Sequence, residues 1–143
     1  MSEEDFYYLV DCSFPYHDPA EAARLTDLAC SISSNAAFTI AHELARVPAG
    51  KDVDPQVLLG MLARLDACLD HPLKPPVLSV ARRMIVGDAL PLPEVLAAMR
   101  EVAAYPDEYQ ALNVVYFSGQ EMWDEVEALY EEIVGGWRSR RSE

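Results

Sequence analysis

Apolar residues recur along the chain at spacings of three and four, the period of a single helix face. Prolines mark where several of these runs begin. Asp18-Pro19, Asp54-Pro55 and Leu92-Pro93 each precede an apolar-periodic stretch. Proline suits the first turn of a helix, where its missing N–H would have had no partner, and Asp before it is a good N-cap. The run from Pro19 carries Leu25, Leu28, Ala29, Ile32, Ala36, Ile40 and Leu44 in one stripe and reaches Arg46. Polar side chains at residues 31–35 compete for the backbone, which predicts a kink or a fresh N-cap near Ser34.

Residues 47–53, with Pro48 and Gly50, read as a loop. From Pro55 to Leu69, the residues Leu58, Met61, Leu62, Leu65, Cys68 and Leu69 follow helical spacing most closely, and Asp70-His71-Pro72 ends the run. Another helix is expected from Pro76 to Val86, with Gly87 as its C-terminal cap. The next begins at Pro93 and stops before Pro106, with Val95, Met99 and Val102 inward. The last is expected from Gln120 to Val134. Met122, Val126, Leu129 and Ile133 line one face, and Gly135-Gly136 ends it.

Two segments read both ways. Phe6, Leu9, Val10, Ser13 and Phe14 share a helical face, and Ser2 with Asp5 resembles a capping box, which predicts a helix over residues 3–13. Yet residues 6–10 are rich in aromatic and β-branched types, as are residues 113–117. If both were strands they would pair, and the class would be α+β. The preferred reading is all-α: a single-domain bundle of about six to seven helices arranged as antiparallel hairpins over residues 1–137, followed by a basic, flexible tail at 138–143.

Composition adds the electrical character. The chain has 143 residues, 51% hydrophobic and 24% charged, which suits one globular core without a stabilising metal or disulfide. The net charge is −13. That repels nucleic acid and anionic lipid and favours a basic partner. No window is long and apolar enough to span a bilayer. The start, Met1-Ser2-Glu3-Glu4-Asp5, is acidic where a secretory signal would be basic, so a cytoplasmic location is expected. Nine Arg against two Lys, with abundant Ala, suggests a GC-rich bacterial origin. Cys12, Cys30 and Cys68 are odd in number and widely spaced, and are expected to be buried free thiols.

Catalytic and metal chemistry find little support. Zinc favours short paired spacings, and Cys12, His17, Cys30 and His42 offer none, so neither a metal nor a cofactor is expected. A Cys12–His17 or Cys30–His42 nucleophile would need an electropositive pocket to form the thiolate. Glu43 is the one carboxyl worth inspecting as a general acid, with a solvent-facing helical position as its more ordinary role.

The most informative feature is that residues 101–137 contain no Lys or Arg and nine acids. Trp123, Tyr130 and Trp137 recur there every seven residues. Aromatic rings beside carboxylates make good anchors for a cationic surface. The expected function is a small acidic protein-binding module, such as a bacterial inhibitor of the immunity or antitoxin type, that covers a basic protein through Trp123, Asp124, Glu127, Tyr130 and Glu131. The alternative is a helical adaptor that binds through an apolar groove or self-associates as a homodimer through its last helix. A Cys/His-dependent enzyme or metal protein is the least favoured reading.

Overall fold

The computed structural model describes residues 2–46, 53–119 and 123–141. Among them the chain forms eight helices and no strand: α1 (Glu3–Ser13), α2 (Pro19–Ile32), α3 (Ser34–Arg46), α4 (Pro55–Cys68), α5 (Lys74–Val86), α6 (Leu92–Ala103), α7 (Tyr109–Gly119) and α8 (Asp124–Arg141). The class is all-α in a single domain. The loop expected at 47–53 falls almost wholly outside the described residues, as do Gln120 and Met122.

The expected pairing of 6–10 with 113–117 does not occur, because both segments are helical. Their burial explains why. Phe6 and Val10, four apart, face the interior of α1, and Leu112 and Val115, three apart, do so in α7. An isolated pair of short strands would have been marginal by comparison. Eight helices replace six to seven because the long run from Pro19 breaks at Ser33. That residue is fully extended, and its hydroxyl accepts from the Ala36 amide at 3.0 Å, so it caps α3 as it ends α2.

The other caps follow local chemistry. Ser2, Asp18 and Asp54 accept from the amides of Asp5, Glu21 and Gln56 at 3.1, 3.2 and 2.9 Å. Gly87 closes α5 in the left-handed region at φ 81°, and the Asp88 amide reaches back to the Arg83 carbonyl at 2.9 Å. This is the hydrogen-bond pattern that a glycine after a helix permits.

α3 is the hub, packed against α1, α2, α4, α5 and α7. Ala36, Ala37, Ala41 and Ala45 let neighbours approach closely, while Phe38, Ile40 and Leu44 fill the space between them, and all seven are buried. A helix covered on nearly every side must be apolar nearly all round. That makes its buried polar groups the ones that need explaining.

Two further sequence expectations are corrected. Gly135-Gly136 does not end the last helix: α8 runs on to Arg141, so residues 138–141 continue it rather than beginning a tail. Glycine inside a helix costs only about 1 kcal/mol relative to Ala. The turn beyond is held by Trp137, which is 3% exposed. Its indole N–H donates to the Ala103 carbonyl at 3.2 Å. The cysteines are not three buried thiols. Cys30 of α2 and Cys68 of α4 form a disulfide with Cα atoms 6.4 Å apart, and Cys12 is exposed. The pairing arises from the packing of α2 on α4, which spacing along the chain does not encode. No helix among the described residues is long and apolar enough to cross a membrane.

Candidate functional site

α8 packs on α6 and α7 through Val126, Ile133, Val134 and Trp137. Three- and four-residue spacing then turns Asp124, Glu125, Glu127, Glu131 and Glu132 outward, and all five are exposed. Asp124, Glu125 and Glu127 lie in the first turn, where carboxylates meet the positive end of the helix dipole. Among the described residues no ion pair involves any of the five. Asp11 and Glu43 share Arg46, while Arg64, Lys74 and Arg83 pair with Asp27, Asp66 and Glu94.

The predicted contact residues are therefore brought together. Asp124, Glu127 and Glu131 share the outer face of α8. Trp123, immediately before the helix, and Tyr130 are half-buried at its margin. Tyr130 packs its ring 4.3 Å from Tyr116 and donates its hydroxyl to Asn113 Oδ1 at 3.4 Å. Burial first, and then the neighbouring Tyr116, hold its phenol pKa above the ordinary value.

The third aromatic of the seven-residue recurrence does not join them. Trp137 lies inside, edge-on to Tyr109 with ring centres 5.1 Å apart. Around the helix axis Tyr130 lies between the buried Trp137 and Val134, so the repeat alone does not separate the rings; Trp137 is drawn in by Ala103 of α6 and Tyr109 of α7. Nor do all the acids of residues 101–137 face outward. Glu108 turns inward, accepts from the Ser34 hydroxyl and lies 3.5 Å from His71 Nε2. Its second oxygen is buried without a hydrogen bond. His71 Nδ1 accepts from the Leu73 amide at 3.0 Å, so its proton resides on Nε2, facing Glu108.

A second feature lies between α1, α3 and α7: an open cleft of about 400 Å³. Glu43 sits in its wall, 6% exposed, and so is buried rather than solvent-facing as expected from sequence. Its carboxylate accepts from the Tyr16 hydroxyl and, at 2.7 Å, from Arg46 Nε. Arg46 extends its other nitrogen to Asp11 at 2.6 Å. A buried carboxylate needs such partners. Desolvation, then the bond to Glu43, pushes the Tyr16 phenol well above its usual range. Beside it, His42 stacks on Phe117 with ring centres 5.0 Å apart. Burial, assisted by the Arg46 charge and opposed by Asp11, pushes the imidazole pKa down to about 4, so it is neutral at pH 7.

The α1 wall of the cleft is fixed by Asn35. Its Nδ2 donates to Glu3 at 3.0 Å and to the Tyr7 hydroxyl at 2.6 Å, and its Oδ1 accepts from the Gln110 amide at 3.0 Å. One side chain thereby ties α3 to both α1 and α7. In this region the sequence marks Glu43, as a carboxyl to inspect, and His42, as a candidate partner of Cys30. Asp11 and Tyr16 arrive from distant positions and carry no such mark.

The predicted nucleophile pairs are not assembled. Cys30 is bonded to Cys68 and has no thiolate to offer, and Cys12 and His17 both lie exposed with no hydrogen bond between them. No protein-family model, no curated protein and no solved structure matches the chain.

Proposed function

We propose that the protein is a protein-binding module whose α8 face covers a basic partner, in the manner of a bacterial immunity or antitoxin-type inhibitor. The observation that carries this reading is the set of five exposed α8 carboxylates left without a counter-ion among the described residues, bordered by Trp123 and Tyr130. Long-range attraction by the acids steers a cationic protein in, and desolvation of the two rings supplies a short-range anchor. The same field repels phosphates, which argues against direct nucleic-acid binding. It also disfavours homodimerisation through α8, since like charges would face each other.

The adaptor reading rests on a different surface. A groove of about 330 Å³ between α2 and α4 is lined by Pro19, Ala23, Val57, Gly60 and Met61. Binding there would survive high salt, whereas binding to α8 would not. The test is retention of proteins from the native host on the immobilised chain, at low and high salt, against the triple variant Asp124→Asn, Glu127→Gln, Glu131→Gln. A basic protein held at low salt by the native chain and lost by the variant is the expected result. Retention of nothing basic, or equal retention by both chains, refutes the proposal.

A further inference from the structure

The cleft between α1, α3 and α7 is separate from the outer face of α8 and carries chemistry that the fold does not consume. Among the described residues, neither ring nitrogen of His42 has a hydrogen-bond partner, and the side-chain amide of Gln110 has none. Asn113 uses only its oxygen, for the long bond from Tyr130, and its Nδ2 is unbonded. All three residues line the cleft. Its volume of about 400 Å³ lies within the range of about 300–1,000 Å³ found for small-molecule sites.

The charges present narrow the ligand. The two carboxylates bordering the cleft, Asp11 and Glu43, are both bonded to Arg46. A cationic ligand would have to compete with that guanidinium for them. No Lys or Arg lines the cleft among the described residues, and the chain carries −13, so an anion is unwelcome. A wholly apolar ligand would strand the donors and acceptors of His42, Gln110 and Asn113 away from water, at a cost for each. What remains is a neutral molecule that both donates and accepts. Aromatic surface is available for its faces, since Tyr7 and Tyr8 contribute to the wall and Tyr8 is 74% exposed.

We propose that this cleft binds an uncharged planar heterocycle with a hydrogen-bonding edge, of the nucleobase or aromatic-carboxamide class, read by His42, Gln110 and Asn113. A neutral imidazole offers one donor and one acceptor, and each amide side chain offers both, which matches an edge where donors and acceptors alternate. The Asn35 network holds α1, α3 and α7 in register, so the edge meets a preformed array.

The test uses the full-length chain, two-dimensional amide NMR, and four ring probes: adenine and nicotinamide as uncharged ligands, benzoate as the anion and benzamidine as the cation. At least one uncharged ring is expected to shift the amides of residues 39–43 and 110–113 saturably at millimolar concentration. The charged rings are expected to bind there at least tenfold more weakly. Gln110→Ala and Asn113→Ala are each expected to weaken the uncharged ring at least fivefold with the rest of the spectrum retained. The proposal is overturned if neither uncharged ring perturbs these amides, if a charged ring binds them as well, or if both variants keep full affinity.

Discussion

Replacing Gly135 and Gly136 together by Ala distinguishes a continuous α8 from a helix that stops at the glycines. Both lie inside α8 and are exposed, and a Cβ added at either meets nothing within 4 Å. Gly87 is the glycine with positive φ among the described residues, so Ala fits the backbone at 135 and 136 without strain. Each replacement removes the entropic penalty of glycine, about 0.8–1.0 kcal/mol in a helix interior. Two such gains, reduced because the end of α8 lies within two turns, sum to about 1–2 kcal/mol. With a urea m-value of about 2 kcal/mol per molar, the unfolding midpoint should rise by about 0.5–1 M at unchanged m. Urea titration followed by circular dichroism reads this directly. A midpoint that stays put or falls would mean that the chain leaves the helix at the glycines, as their place in the sequence suggests. Gly87→Ala supplies the contrast: its left-handed φ of 81° predicts a loss of about 1 kcal/mol.

Trp137→Ala should destabilise by about 3–5 kcal/mol in the same titration, since it removes a buried indole and leaves the Ala103 carbonyl without its donor; a loss under 1 kcal/mol would place the ring outside the core. His42 makes stability depend on pH with a definite sign. Its pKa is near 4 folded against 6.5 unperturbed, so the unfolded chain binds the extra proton first, and up to about 3 kcal/mol is lost as pH falls from 6.5 towards 4. Since carboxylates titrate in the same range, the reading is the difference between the native chain and His42→Phe, which should change across that window; a constant difference refutes it. Cys30–Cys68 closes a loop of 38 residues, so reduction should lower stability by about 4 kcal/mol on the chain-entropy account, and one thiol, Cys12, should titrate in the unreduced native protein. Three reactive thiols before reduction would contradict the pairing. Glu131→Lys should stabilise by about 0.5–1 kcal/mol at low salt, because it replaces the Glu127–Glu131 repulsion with an attractive pair in the favourable order, while abolishing capture of a basic partner. Unaltered capture would sink the α8 proposal.

The elements were legible where local chemistry decides them. Asp18-Pro19 and Asp54-Pro55 begin helices because cap and proline act within a single turn. Ser33 breaks the long run for the same reason, its hydroxyl reaching an amide three residues on. Misreadings arose where the answer lies across the fold. Gly135-Gly136 looks like a stop unless one knows that Trp137 finds Ala103, 34 residues away. The outward carboxylates of α8 could be read from their spacing against Val126 and Ile133. The retreat of Trp137 and the inward turn of Glu108 depend on α6 and α3, which periodicity on one element does not specify. His42 and Glu43 stand out singly in the sequence, but the cleft they line does not, because its walls come from three helices.

Acidity alone does not single out α8, since carboxylates are distributed along the chain. What distinguishes this helix is where the cations went. Arg46 answers Asp11 and Glu43, Arg64 answers Asp27, Lys74 answers Asp66 and Arg83 answers Glu94. With Arg24 answering Glu21, the paired bases are spread over helices α2 to α5, each near an acid of its own neighbourhood. α8 keeps its basic residues at its C-terminal end, beyond the reach of Asp124, Glu125 and Glu127 in the first turn. That polarity suits the helix dipole at both ends, so the first-turn acids have a local reason to be there. Glu131 and Glu132 sit in mid-helix, where the dipole contributes little, and Glu131 lies one turn from a like charge. Their local support is the helix propensity of Glu alone, so these two are the carboxylates at which the proposed docking of a basic protein is most directly tested.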